Sequence, residues 1–217
     1  MDIEFILFDL DGTLVDTNAD LTAAMNYMLK QYNAPALQPE QVKVLLGCGV
    51  HDLVSRSFET STGRKLSGDE LEKAVRINLA YYAEHNTDLT TTFPGVIEVL
   101  EYCRERNIKM AVVTNKGTKP STKIVDATGL SGYMSAVQGD GDNLPLKPQP
   151  DLLWHVMKKL NAVPEKTLMV GDNYTDIGAA RNAGVKSVFI KNGYGVIGSE
   201  KADYIIDNFA DLKAVLS

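Results

Sequence analysis

Residues 5–16 read FILFDLDGTLVD: four apolar residues, then Asp9 and Asp11 set one position apart, then Gly12 and Thr13. A run this apolar, bounded by a turn signal, reads as a strand buried on both faces. It ends in two carboxylates, and carboxylates at the end of a buried strand need a partner. Other apolar runs of the same kind follow from Lys109 onward: KMAVVT, YMSAVQ, TLMVG, SVFI and DYIID, with helix-like segments between them. That alternation predicts βα units and a doubly wound, mostly parallel α/β sheet.

Between these two regions the apolar period changes from strand-like to helical. Leu21, Met25, Met28, Leu29 and Tyr32, and later Leu71, Val75, Leu79 and Tyr82, recur at helical spacing. The expected organisation is therefore an α/β core formed by residues 1–15 and 86–217, interrupted by an all-helical insertion at 16–85. The threonine-rich NTDLTTTFPG has neither period and is the candidate hinge, with Pro94 and Gly95 starting the next helix.

With 217 residues, 44% of them hydrophobic and 23% charged, the chain has the composition of a globular protein with a sizeable core. No stretch approaches the roughly 18–20 continuous apolar residues of a membrane span. A formal net charge of −6 disfavours nucleic acid as a partner, since phosphate backbones are bound by clustered Lys and Arg. Cys48 and Cys103 form no metal-ligand pattern or disulfide framework, and no export signal is visible, so a cytoplasmic location is expected.

In open parallel sheets the ligand lies beyond the carboxyl ends of the strands. There the expected strands deliver Asp9 and Asp11, then Thr114 and Asn115, then Asp172 with Asp176 four residues on; Lys147 comes from the loop LKPQP. An all-oxygen carboxylate cluster repels itself and suits a hard cation such as Mg²⁺. With that ion and the Lys147 ammonium offsetting like-charge repulsion, a carboxylate can attack a phosphate monoester. Asp9 is then the candidate nucleophile and Asp11 the acid and base. Thr114 and Lys147 are the candidate phosphate ligands, and the Gly12 N–H is expected to join the phosphate cradle.

The ordered elements DLDGTL, VVTNK, LKPQP and GDNYTD closely resemble the haloacid dehalogenase superfamily of phosphotransferases. Within it they look like the phosphoglycolate phosphatase group, to which FPGVIEVL also points. The resemblance spans nearly the whole chain and implies that the helical insertion is a cap. It implies catalysis by Asp9, phosphorylated in turn, and Asp11. Phosphate would be bound by Thr114 and Lys147, beside which Gly12 and Asn115 are further candidate phosphate-binding residues, and Mg²⁺ would be held by the Asp9 carboxylate, the Asp11 backbone carbonyl and Asp172. Asp176 would orient Lys147 or a metal-bound water. The family's third motif often reads KPHP, and Gln149 stands where that histidine falls.

These residues lead to a Mg²⁺-dependent phosphatase of a small phosphorylated metabolite, with 2-phosphoglycolate first among substrates, acting as a monomer or homodimer. A mutase of the β-phosphoglucomutase type and a receiver-like phospho-acceptor domain are the alternatives. In the insertion, LLGCGVHDLVSRSF has the glycines of a loop that approaches substrate, and Arg56 is a candidate for specificity.

Overall fold

The computed structural model describes residues 2–141 and 143–217. The strands are β1 (Phe5–Phe8), β2 (Val15–Asp16), β3 (Thr91–Thr92), β4 (Lys109–Gly117), β5 (Met134–Asp140), β6 (Thr167–Gly171), β7 (Lys186–Ile190) and β8 (Tyr204–Ile206). The helices are α1 (Asn18–Gln31), α2 (Pro39–Lys43), α3 (Val50–Thr62), α4 (Gly68–His85), α5 (Val96–Glu105), α6 (Thr118–Ala127), α7 (Asp151–Leu160), α8 (Tyr174–Ala183) and α9 (Leu212–Leu216).

Six strands form one sheet in the order β5-β4-β1-β6-β7-β8, every neighbouring pair parallel. The first run thus occupies the centre, as its wholly buried FILF demands. Ile6 and Phe8 join one apolar cluster with Leu100, Val112 and Val170, while Leu7 joins another with Val113, Leu152 and Met169. The period-2 alternation of side chains sends them to opposite, helix-covered faces. From β1 the chain builds outward through β4 and β5, then returns to build through β6, β7 and β8. The crevice at that reversal lies at the ends of β4, β1 and β6.

Helices α1 to α4 form a separate cluster around Met25, Met28, Leu29, Val54, Phe58 and Val75, so the helical period read from the sequence marks a unit with its own core. A reciprocal cap starts α4: the Glu70 N–H donates to Ser67 Oγ, and the Ser67 N–H to Glu70 Oε2 at 3.0 Å. Leu79, in phase with the buried stripe, is 42% exposed and not part of that core.

The chain enters and leaves this unit through a two-stranded ribbon, β2 antiparallel to β3, pairing Val15 with Thr92 and Asp16 with Thr91. The threonine-rich stretch is thus partly strand. The buried Asp20 carboxylate also accepts from the Leu89 and Thr90 N–H groups and from Thr90 Oγ1 at 2.7 Å. Among the described residues, no helix is long and apolar enough to cross a membrane.

Candidate active site

The strand register sets the geometry. Phe8 is level with Val112 of β4 and Val170 of β6, and the Asp9 N–H donates to the Val170 carbonyl at 2.9 Å. One residue past β1 stands Asp9; two residues past the matching levels stand Thr114 and Asp172. Asp9, Asp172 and Asp176 are all buried, and each offers an oxygen within 4.8 Å of the others.

Lys147 joins this cluster as a buried hub. Its Nζ lies 2.9 Å from Asp9 Oδ1 and 2.6 Å from Asp176 Oδ1, and donates to the Val113 carbonyl at 2.8 Å. Burial alone would lower the Lys147 pKa, but Asp176 and Asp9 more than offset it and the net shift is upward. The helix α8 fixes Asp176: Asn173 caps that helix, and Asp176 Oδ2 accepts the Asn173 N–H at 3.0 Å.

Asp172 is held by Thr13 Oγ1 at 2.8 Å and by the backbone N–H groups of Tyr194 and Gly195 at 2.7 and 2.9 Å. Burial, joined by the charge on Asp9, pushes its carboxyl up to about 6 despite these donors. Burial, with the charges on Asp9 and Asp172, moves Asp176 upward too, against the pull of Lys147. Three carboxylates thus face a single buried ammonium, and Asp9 Oδ1 receives no well-directed hydrogen bond even with Lys147 beside it. This oxygen-rich, negatively unbalanced set fits a divalent cation with a preference for oxygen ligands.

Four sequence expectations change in detail. The Asp11 side chain does not join the carboxylate cluster, where Asp176 stands instead. It lies 2.8 Å from Lys116 Nζ and accepts from Thr17 Oγ1 at 2.6 Å. The Gly12 N–H is not free to cradle a phosphate, because it donates to the Val15 carbonyl at 3.0 Å. Gly12 is needed for a different reason: its φ is +84°, and a Cβ there would come within 2.5 Å of Asp172 Oδ2. Asn115 is likewise engaged. Its amide donates to the carbonyls of Gly47 and Lys147 at 2.9 and 2.8 Å, while its oxygen accepts the Lys147 N–H. Asn115 therefore ties the lysine loop and the insertion to the end of β4. Arg56 is turned onto Asp52 and the Leu45 carbonyl, at 3.3 and 3.4 Å, away from the crevice.

Lys116 was not singled out by the sequence reading, although its position next to Asn115 in VVTNK was a signal. Burial would lower its pKa, but Asp11 and Tyr82 more than offset this, and the net shift is upward. Its Nζ lies 4.8 Å from the ring centroid of Tyr82 on α4. Tyr194 makes a second link between the core and the insertion. Its N–H holds Asp172, while its hydroxyl accepts from the Thr17 and Asn18 N–H groups at 2.8 and 3.1 Å and pairs with Asp16.

Between the insertion and the strand ends is a chamber of about 530 Å³, reached by Asp9, Asp11, Thr114, Lys116 and Asp172 from the core. The loop containing Gly47 and Gly49 also reaches it.

Residues 6–190 match the family model described as haloacid dehalogenase-like hydrolase. A phosphoglycolate phosphatase of Chromobacterium violaceum is 34% identical over 97% of this chain and 95% of its own length. Phosphoglycolate phosphatase 1 of Pseudomonas aeruginosa is 37% identical over 95% of this chain and 77% of its own. The crystal structure of a protein titled a predicted phosphoglycolate phosphatase, from Haemophilus somnus 129pt, superposes with a TM-score of 0.92. It is 32% identical, and 100% of this chain and 99% of that one are covered. A match across most of the length has one consequence: the chain belongs to the haloacid dehalogenase-like hydrolases.

Proposed function

We propose that this enzyme is a Mg²⁺-dependent phosphatase that hydrolyses a small phosphorylated metabolite through a phosphorylated Asp9. The observation that carries the reading is the position of Asp9: at the buried end of the central strand, 2.9 Å from Lys147 and clustered with Asp172 and Asp176. Asp9, Asp172 and the Asp11 backbone carbonyl would hold the Mg²⁺, with Asp176 close enough to add an oxygen or orient a water. When bound, the ion would neutralise phosphoryl oxygens and lower the repulsion felt by the attacking carboxylate.

In the first half-reaction an Asp9 oxygen forms a bond to phosphorus as the bond to the leaving oxygen breaks. Asp11 gives that oxygen a proton. In the second, Asp11 takes a proton from water as the water oxygen bonds to phosphorus; the acyl phosphate bond breaks and Asp9 is restored. Thr114 and Lys147 supply donors to the phosphoryl oxygens, and Lys147 is rigid because Asp176 and the Val113 carbonyl hold it. Asn115 positions Lys147 through its backbone.

Residues 16–85 act as the cap of the core 1–15 and 86–217, with the β2–β3 ribbon as the hinge. Closure brings Tyr82 and the Gly47–Gly49 loop over the reacting atoms and excludes water. Two free cysteines agree with a reducing cytoplasm. The names of the relatives support 2-phosphoglycolate as a substrate. Against a mutase, which must hold a second phosphate, none of the described lysines or arginines of the insertion lines the chamber.

Phosphate release from a panel of phosphate esters, 2-phosphoglycolate among them, with and without EDTA, tests the reading. Release is expected with Mg²⁺ and is lost with EDTA or in Asp9→Asn. Failure of every ester with Mg²⁺ present, or full turnover by Asp9→Asn, would overturn it.

A further inference from the structure

Tyr194 is fixed at one end to a proposed metal ligand. The N–H groups of Tyr194 and Gly195 both donate to Asp172 Oδ2, at 2.7 and 2.9 Å. The flanking glycines leave no room between the two segments. A Cβ on Gly193 would come within 2.2 Å of Asp172 Cβ, and one on Gly195 within 2.6 Å of the Asp172 carbonyl oxygen. Close packing of this kind transmits displacement, so a shift of Asp172 moves Tyr194 with it.

The other end of Tyr194 is built into the connection to the insertion. Its hydroxyl accepts the Thr17 and Asn18 N–H groups at 2.8 and 3.1 Å and donates to Asp16 of β2. That uses its one donor and both of its acceptor sites. Thr17, at the start of α1, gives that helix no side-chain cap, since its own hydroxyl goes to Asp11. A donor that a helix start leaves without an intrahelical acceptor is therefore satisfied by a residue 176 positions later in the chain. The buried Tyr194 ring meets Phe93, just past β3, with centroids 6.0 Å apart, and Lys43 Nζ of α2 lies 5.4 Å from its centre. Both crossings of the chain between core and insertion thus converge on one side chain.

The second oxygen of Asp172 leads to the same place. Its Oδ1 accepts from Thr13 Oγ1 at 2.8 Å, and Thr13 directly precedes the Leu14–Val15 step into β2. Asp172 also belongs to a set of three carboxylates around one ammonium, whose mutual repulsion a divalent ion would replace with attraction. An ion shared by Asp9 and Asp172 would fix the Asp172 carboxylate. Through Tyr194 and Thr13 that constraint reaches β2 and the first turn of α1.

We infer that Tyr194 is a positioning residue that couples the cation site to the β2–β3 ribbon, so that Mg²⁺ bound at Asp172 orders the ribbon and the first turn of α1 and sets the pose of the insertion over the strand ends. The coupling is reciprocal: the pose that Mg²⁺ favours is the one that holds Mg²⁺ more tightly. This rests on the Mg²⁺-dependent reading above and adds a regulation of the same site.

Amide hydrogen exchange on the full chain, in EDTA and in saturating Mg²⁺, tests the coupling in wild type, Tyr194→Phe and Asp16→Ala. Tyr194→Phe keeps the ring and the backbone N–H on Asp172 and loses only the hydroxyl. Asp16→Ala, at an exposed position, removes the acceptor of that hydroxyl. In wild type, Mg²⁺ is expected to slow exchange by about fivefold or more at residues 193–195, and also at Thr17, Asn18 and residues 91–93. In Tyr194→Phe the slowing should persist at 193–195 and disappear at the ribbon, and in Asp16→Ala the ribbon response should weaken. Protected amides of β1 report the fold of each protein, and the wild-type comparison stands even where a variant does not fold. Slowing confined to 193–195 in wild type, or a full ribbon response in either variant, overturns the inference and leaves the phosphatase reading standing. No response to Mg²⁺ at 193–195 in wild type overturns the Mg²⁺ reading with it.

Discussion

The Lys116 ammonium lies 2.8 Å from the Asp11 carboxylate and 4.8 Å from the centroid of the Tyr82 ring. A core cation therefore bridges the proposed acid and base to a residue of the helical insertion. The pair is nearly closed to solvent, with side-chain exposures of 9% and 17%. Lys116→Met removes the charge while keeping much of the stem. The expected loss in kcat is about 10²-fold, the lower end of what a misplaced general acid and base costs. Tyr82→Phe keeps the ring beneath the ammonium and should change kcat by much less. Steady-state kinetics on both variants check this, and equal activity in Lys116→Met and wild type would remove Lys116 from the mechanism.

Asp9→Asn takes away the proposed attacking oxygen while preserving shape. It also removes one of the mutually repelling carboxylates, so the variant should fold. Activity is expected to fall by about 10⁴-fold or more, as when a covalent nucleophile is lost. Thermal unfolding and phosphate release measured on one preparation decide between a lost nucleophile and a lost fold.

Without Mg²⁺, the upward shift of Asp172 makes stability fall with pH. The folded carboxyl holds its proton to about 6, whereas the unfolded one gives it up in the ordinary carboxylate range. The contribution is absent as a penalty at pH 3, where both states are protonated. It grows as pH rises through the unfolded value and reaches about 3 kcal/mol above pH 6. Asp172→Asn lacks this penalty. In EDTA it should match wild type in acid and exceed it at pH 7, and saturating Mg²⁺ at pH 7 should reverse the order by stabilising only wild type. Denaturant midpoints across pH, with EDTA and with Mg²⁺, are the measurement; a difference between the two proteins that is independent of both would contradict it.

Asp20 holds the returning linker by accepting from Leu89 and Thr90. Asp20→Ala leaves those N–H donors without their buried acceptor, at a cost of about 1–3 kcal/mol. The effect should concentrate at the ribbon: faster proteolysis near Thr87–Thr90 and faster amide exchange there, with the central strand unchanged. Uniformly faster exchange would show that Asp20 supports the whole fold instead of the ribbon.

Much of the architecture was legible in local pattern. The apolar runs from Phe5 to Ile206 identified the six strands of the sheet; inner strands such as β1 and β6 are apolar at successive positions because both faces are covered, whereas the edge strands β5 and β8 are only partly buried. The helical stripe through Met25, Met28 and Val75 marked the insertion because its core has the 3.6-residue period. Acidic residues just past such strands pointed to the site, since backbone direction alone sets which end of a parallel sheet they reach. What the side chains do there was decided by tertiary structure. Asp176 reaches Asp9 while the Asp11 side chain turns to Lys116, which is 105 positions away in the chain. The Asn115 amide and the Gly12 N–H are already engaged within the protein. Leu79 keeps its helical phase and yet faces the chamber, because period reports which side of a helix is apolar, and only packing determines what that side meets.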